Sequence, residues 1–250
     1  MIKILLCFLL ITSAFADHHI PDDESPGTTP AAVLRVHHKR GNTLYRFDYE
    51  HNTEVVNRTD KRYTLGVRYR FFEHLKAGIY YSKRYGQRHD EDWILGPNPP
   101  KWIWIDTDSR GENFVGIELI PRMLVEFLPG TWIAEFRTLI ERNFFNDNNT
   151  IKLRPGLTHI YMGKSGPLFN LFFQYEAYIP LNYGRETLYE QWLYLGALYH
   201  WSKIFRPGVF FTMYEKKWSS TDAFFMKKGE HFTNTEKGNM IGVSLNFTIP

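Results

Sequence analysis

Glu112-Asn113-Phe114-Val115-Gly116-Ile117-Glu118-Leu119-Ile120-Pro121-Arg122-Met123-Leu124-Val125-Glu126-Phe127 decides the fold class of this 250-residue chain. Val115, Ile117, Leu119, Pro121, Met123, Val125 and Phe127 share one parity. Glu112, Gly116, Glu118, Arg122 and Glu126 share the other. Side chains alternate across a strand but repeat every 3.6 residues on a helix, so a period of two held this long excludes a helix. The run is long for a soluble strand and suits a tilted strand of a closed barrel. Pro121 brings no N–H to a ladder and is expected to mark a bulge.

The same period recurs on both sides. Tyr45, Phe47 and Tyr49 alternate with Arg46, Asp48 and Glu50, and Leu65, Val67 and Tyr69 with Thr64, Gly66, Arg68 and Arg70. Further segments lie near 75–84, 132–143, 150–162, 168–179, 188–201, 208–217 and 238–249. The pattern is weakest where Phe210 and Phe211 occupy both faces. The fold class expected is all-β: a closed antiparallel transmembrane β-barrel of about ten strands, with Ala31 to His38 as a further strand or an extension of the first. Its connections alternate between short and long, as the periplasmic turns and external loops of outer-membrane barrels do. An even count predicts both chain ends on the short-turn side.

The first residues agree with export. Lys3, the apolar run Ile4–Ile11 and Ala14-Phe15-Ala16 have the layout of a secretory signal peptide. The domains expected are a signal peptide at 1–16, a periplasmic lead at 17–42 and an outer-membrane barrel at 43–250. Cys7 is the only cysteine, so the exported part must be stabilised without disulfides. Beyond the signal no apolar run approaches the roughly 20 residues of a membrane helix, yet aromatics reach 17%. A net charge of +3 gives no reason to expect nucleic acid as a partner.

Charge sits on one parity together with glycine. Arg46, Asp48, Glu50, Arg68, Arg70, Glu118, Arg122, Glu126, Glu135, Arg137, Glu141, Lys152, Arg154, Glu176 and Glu190 are expected to form a lumen charge network, beside Gly66, Gly116, Gly156, Gly196 and Gly242. Small residues next to long charged ones suit a crowded, largely occluded lumen. Across the turn at 144–149, Glu141 is expected directly opposite Lys152, or opposite Arg154 if the register slips by two.

Export signal, amphipathic strands, Arg/Glu-rich inner parity and the ending Val243-Ser244-Leu245-Asn246-Phe247 together resemble bacterial outer-membrane barrels. The segments Glu135-Phe136-Arg137, Glu141-Arg142-Asn143-Phe144 and Lys152-Leu153-Arg154-Pro155-Gly156-Leu157 are similar to an uncharacterised barrel family known only as a domain of unknown function. The resemblance implies outer-membrane lipid, lipopolysaccharide and the barrel assembly machinery as partners, and implies no activity. Barrels of this class commonly end on Phe or Tyr, whereas this chain ends Phe247-Thr248-Ile249-Pro250.

No catalytic residues, cofactor or metal are expected. The serines and histidines fall at spacings that force no contact. The acidic cluster His89-Asp90-Glu91-Asp92 with Asp106 and Asp108 reads as a solvated loop. His18, His19, His37 and His38 near Asp22 and Asp23 fix no coordination geometry. Trp93, Trp102 and Trp104, set among prolines in the longest loop, are candidates for surface binding of glycan, lipopolysaccharide or a partner.

Overall fold

The computed structural model describes residues 18–19, 23–53, 59–86, 93–97, 100–104, 110–164, 166–183 and 188–250. The stretch 1–16 and the acidic loop cluster at 89–92 with 106 and 108 lie outside the described residues. The described residues form fourteen strands and one short helix: β1 (His18–His19), β2 (Asp23–Arg40), β3 (Thr43–Thr53), β4 (Thr59–Phe72), β5 (Leu75–Tyr85), β6 (Trp93–Pro97), β7 (Pro100–Trp104), β8 (Glu112–Leu124), β9 (Thr131–Asn143), β10 (Asn149–Gly163), β11 (Gly166–Pro180), β12 (Glu190–Tyr199), β13 (Phe205–Ser219), α1 (Asp222–Lys228) and β14 (Phe232–Ile249).

Eleven of these close a barrel in the order β2-β3-β4-β5-β8-β9-β10-β11-β12-β13-β14, with β14 pairing back onto β2. All neighbours are antiparallel except at that seam, where β14 and β2 run parallel with Val243 opposite Ala32 and Leu245 opposite Leu34. The barrel is therefore mixed rather than all-antiparallel, and it takes up residues expected in the lead at 17–42. A Pro/Thr-rich stretch with weak alternation still makes a strand here because β14 offers it a backbone edge. One consequence corrects the reading of the ends. With eleven strands and a parallel seam, β2 begins at the long-loop end while β14 finishes among the short turns.

The alternation is realised as read. Ile117 on β8 is 67% exposed, while the side chain of its neighbour Glu118 has no exposure at all. Leu65, Ile79, Ile140, Val209, Ile241 and Val243 are exposed on the outer face, and Arg46, Asp48, Lys152 and Ser244 are buried on the inner. The outer band is edged with rings. Near the short turns lie Tyr69 against Phe71, Tyr161 against Phe169 and Phe205 against Phe247, and near the long loops Tyr49 against Tyr63 and Tyr63 against Tyr85. Tyr63 and Phe71 are eight positions apart on β4. At about 3.3 Å per residue and a tilt of roughly 40°, they span about 20 Å along the axis.

Two local expectations change. The ladder between β8 and β9 keeps one register across Pro121, with Leu119 opposite Thr138 and Arg122 opposite Glu135, and the bulge falls instead between Arg70 and Phe72 on β4. β8 also ends at Leu124. Glu126 consequently sits exposed in the turn that follows and is not part of the lumen.

The seam can be tested by cross-linking. In a C7S background, A32C and V243C face each other on the outer side and should form an intramolecular disulfide that shifts mobility on a non-reducing gel. A barrel closed by β3 against β14 would leave these thiols unlinked.

Candidate functional site

The lumen is built around a few buried carboxylates. Glu118, at mid-strand on β8, is met by three guanidinium groups: Arg46 Nη1 at 3.1 Å, Arg68 Nε at 2.5 Å and Arg137 Nη2 at 2.6 Å. These come from β3, β4 and β9, so the Arg46 contact reaches over two intervening strands. Asp48 holds the other side of Arg46 at 3.0 Å and accepts from His37 Nε2 at 2.9 Å. Glu141 forms a second centre with Arg62, with Lys152 Nζ at 2.6 Å and with the Tyr80 hydroxyl, which donates at 2.5 Å. Arg154 pairs with Glu176. Arg84 donates to Asp60 at 2.7 Å and lies 3.9 Å from Glu190, five strands around the ring. Guanidinium–carboxylate contacts of this kind are charge-assisted and directional, and they tie together strands that share no backbone ladder.

The register at the 144–148 turn differs from expectation. Asn143 N donates to Asn148 O, the Asn143 side chain accepts from Phe145 N, and Asp147 takes a left-handed φ of 57°. That compact Asn/Asp turn places Glu141 opposite Thr150 and leaves Leu139 opposite Lys152. Lys152 still reaches Glu141, but diagonally. The same register sets Arg137 directly opposite Arg154. Such like-charge pairs destabilise a sheet unless each has its own counter-ion, and here Glu118 and Glu176 supply them.

Opposite the charged wall stands an aromatic one. Trp192, Tyr214 and Met240 pack with Ala31, joined by Tyr178, Tyr194 and Phe210. Trp192 stacks on Tyr214 at 4.8 Å, and the two walls meet where Lys152 lies 4.5 Å over Tyr178 and Arg154 lies 5.4 Å over Tyr194. Some inner glycines make room for rings, whereas Gly78 lies against Arg68 and Glu118 and Gly156 against Gln174. Gly66 and Gly116 flank Tyr80, and Gly196 lies between Phe172 and Phe210. A Cβ on Gly66 would sit 2.8 Å from Tyr80 Cβ, so the ring's position requires glycine there. Between the walls is a cavity of about 380 Å³.

Of the expected network, Arg46, Asp48, Glu50, Arg68, Glu135, Arg137, Lys152, Arg154 and Glu176 line this cavity, and Glu118, Glu141 and Glu190 are buried in its wall. Arg70 and Arg122 lie at the short-turn rim, bonded to Asn42 Oδ1 and to the Glu73 carbonyl. Sequence reasoning missed Asp60, because β4 starts at Thr59 and not at 62, and with it Arg84, the partner of Asp60 at the end of β5. It also missed Tyr80, whose signal was an inner-parity ring facing the inner-parity glycines Gly66 and Gly116, and Trp192 and Tyr194, whose signal was an aromatic ring on the inner parity. His37 and His38 point to opposite faces, one to Asp48 and the other stacked on Tyr45, so they share no ligand. In the longest loop β6 and β7 form a separate hairpin, with Trp93 opposite Trp104 and Leu95 opposite Trp102. The side chains of the three tryptophans lie outside the described residues. Past the end of β12, His200 meets Asn170 Oδ1 at 3.0 Å, and burial, then Arg206, hold its ring below the usual histidine range.

No family model, curated protein or solved structure matches this chain.

Removing one partner of a buried ion pair costs about 3–5 kcal/mol. E118Q, which leaves three guanidinium groups short of an acceptor, should lose stability on that scale, read as the folded band on unheated gels and as the unfolding midpoint. E50Q should change little, since Glu50 is only half-buried and makes no ion pair among the described residues.

Proposed function

We propose that this chain is an outer-membrane β-barrel whose lumen is held largely shut by its own ion pairs, with a non-catalytic structural or surface-binding role. The observation that carries the reading is the inversion of polarity. Across the middle of the barrel the outward positions are apolar and edged with rings while most charges lie inward, and the outward charges Lys61, Lys83, Arg142, Glu215 and Lys237 fall near the long-loop ends. A soluble barrel buries its apolar face and solvates the charged one, whereas a bilayer rewards this arrangement. The band of roughly 20 Å between the rings is close to the ~25 Å apolar belt of such barrels. The signal-like layout of the first sixteen residues supports the same reading. On this reading the short turns face the periplasm, the hairpin bearing Trp93, Trp102 and Trp104 projects from the cell, and the barrel assembly machinery and lipopolysaccharide are the partners in the envelope.

Occlusion follows from how the charges are spent. Arg46–Glu118, Arg62–Glu141 and Arg84–Glu190 each connect non-adjacent strands, and a chord of this kind takes up the axis that a pore would need. A narrow selective channel is the second reading, favoured by the cavity of about 380 Å³ between the charged and aromatic walls.

The expected results are recovery in the outer-membrane fraction, release only by detergent, a heat-modifiable gel mobility, and no steady conductance in planar bilayers at neutral pH. A chain recovered soluble without detergent would refute the membrane reading. A steady wild-type conductance would favour the channel.

A further inference from the structure

The lumen's charges are unevenly spread along its axis. Toward the long loops both signs are present, with buried inward carboxylates such as Asp60, Glu141 and Glu190 standing among Arg62, Arg84 and Lys216. Toward the short turns the inward positions carry Lys39, Arg70, Lys76, Arg122 and Arg206, and the carboxylate at that level is Glu135, opposite Arg122. Arg70 and Lys76 stand directly opposite each other on β4 and β5. Neither forms an ion pair among the described residues; Arg70 reaches only the Asn42 amide oxygen at 3.4 Å. Unlike Arg137 and Arg154, this like-charge pair touches no counter-ion among the described residues, Glu135 acting on Lys76 only through space, and such a pair is destabilising as it stands.

Deeper in, the guanidinium groups also outnumber their acceptors. Glu118 already serves Arg46, Arg68 and Arg137. Arg46 is more than nine-tenths buried, and its Nε, like that of Arg137, has no acceptor. Both residues line the cavity. Buried donors left without partners are costly, and the groups an added oxyanion would reach are the side chains of Arg68 and Arg137, which line the cavity and are 19% and 17% exposed. The far side of the same cavity is formed by Phe172, Tyr194 and Phe210. At about 380 Å³ the space is within the size range of small-ligand sites.

We propose that the lumen binds a small organic anion. A carboxylate or phosphate is drawn in at the short-turn mouth by Arg70 and Lys76, is held by Arg68 and Arg137, and lays its apolar body on the Phe172–Tyr194–Phe210 wall. The site is internal to the barrel and does not depend on a membrane around it. A chain that proves soluble without detergent would overturn the function proposed above and still leave this site open to titration.

The test is calorimetric titration of the purified full-length barrel with benzoate, with benzyltrimethylammonium as the same ring of opposite charge, and with inorganic phosphate as the charge without a ring. Benzoate should bind at least about tenfold more tightly than the ammonium, a difference of about 1.4 kcal/mol, and more tightly than phosphate. The double variant R70Q/K76Q, which removes cations outside the Glu118 and Glu141 centres, should weaken benzoate by a similar factor. R70K/K76R should restore it. Equal affinity for benzoate and the ammonium, no binding at all, or an R70Q/K76Q barrel that still takes benzoate as the wild type does would overturn the proposal. Phosphate binding as tightly as benzoate would remove the role given to the aromatic wall.

Discussion

Sheet closure is the constraint on which the rest of this molecule depends. Each backbone N–H and C=O of a strand needs a partner, and an open edge leaves a row of them unmet. β2 closes the ring by pairing antiparallel with β3 through Ala31–Arg40 and parallel with β14 through nearly its whole length. Because closure is complete, the side chains are free to invert the usual arrangement, with apolar residues outside and charges within.

The interior then has to solve a packing problem without an ordinary apolar core. It does so with two different walls. On the β3–β10 side, long charged residues fill space and neutralise one another across the ring, around Glu118 and Glu141. On the β11–β14 side rings fill the space: Phe172, Phe210 and Tyr214 each stand opposite a glycine, while Trp192 stacks directly on Tyr214. The charged wall gives directional links between distant strands, and the aromatic wall gives contact area. Lys152 over Tyr178 and Arg154 over Tyr194 join the two.

Much of this was legible in the sequence. The period of two in 112–124 and its repeats fixed the strands, and parity alone separated Ile117 from Glu118 and Leu65 from Arg68. What escaped was set by turn geometry and tertiary pairing. The Asn143–Asn149 turn closes two residues tighter than a symmetric hairpin, so Glu141 meets Lys152 on a diagonal. Of β2 only Ala31–His38 was legible, as a further strand or an extension of the first; its start at Asp23 and its parallel pairing with β14 are set by its neighbours. Phe210 and Phe211 looked like a failure of alternation; in fact Phe210 belongs to the aromatic wall and Phe211 to the outer face. The hairpin β6–β7, in a segment read as plain loop, shows that local pairing between Trp93–Pro97 and Pro100–Trp104 outweighed its prolines, which sit at its turn.

The parallel seam also governs how the chain reaches this state. Ala32 and Val243 are paired although 211 positions separate them, while the other barrel neighbours are consecutive or nearly so. Closing a long loop carries a larger entropic cost than closing a short one, and contacts distant in sequence form late. The molecule is therefore expected to assemble as a growing, curling ribbon of hairpins whose two ends meet in the final step. Until β14 arrives, β2 keeps an unsatisfied edge, and the time spent in that half-closed state is when the chain is most open to joining a wrong neighbour.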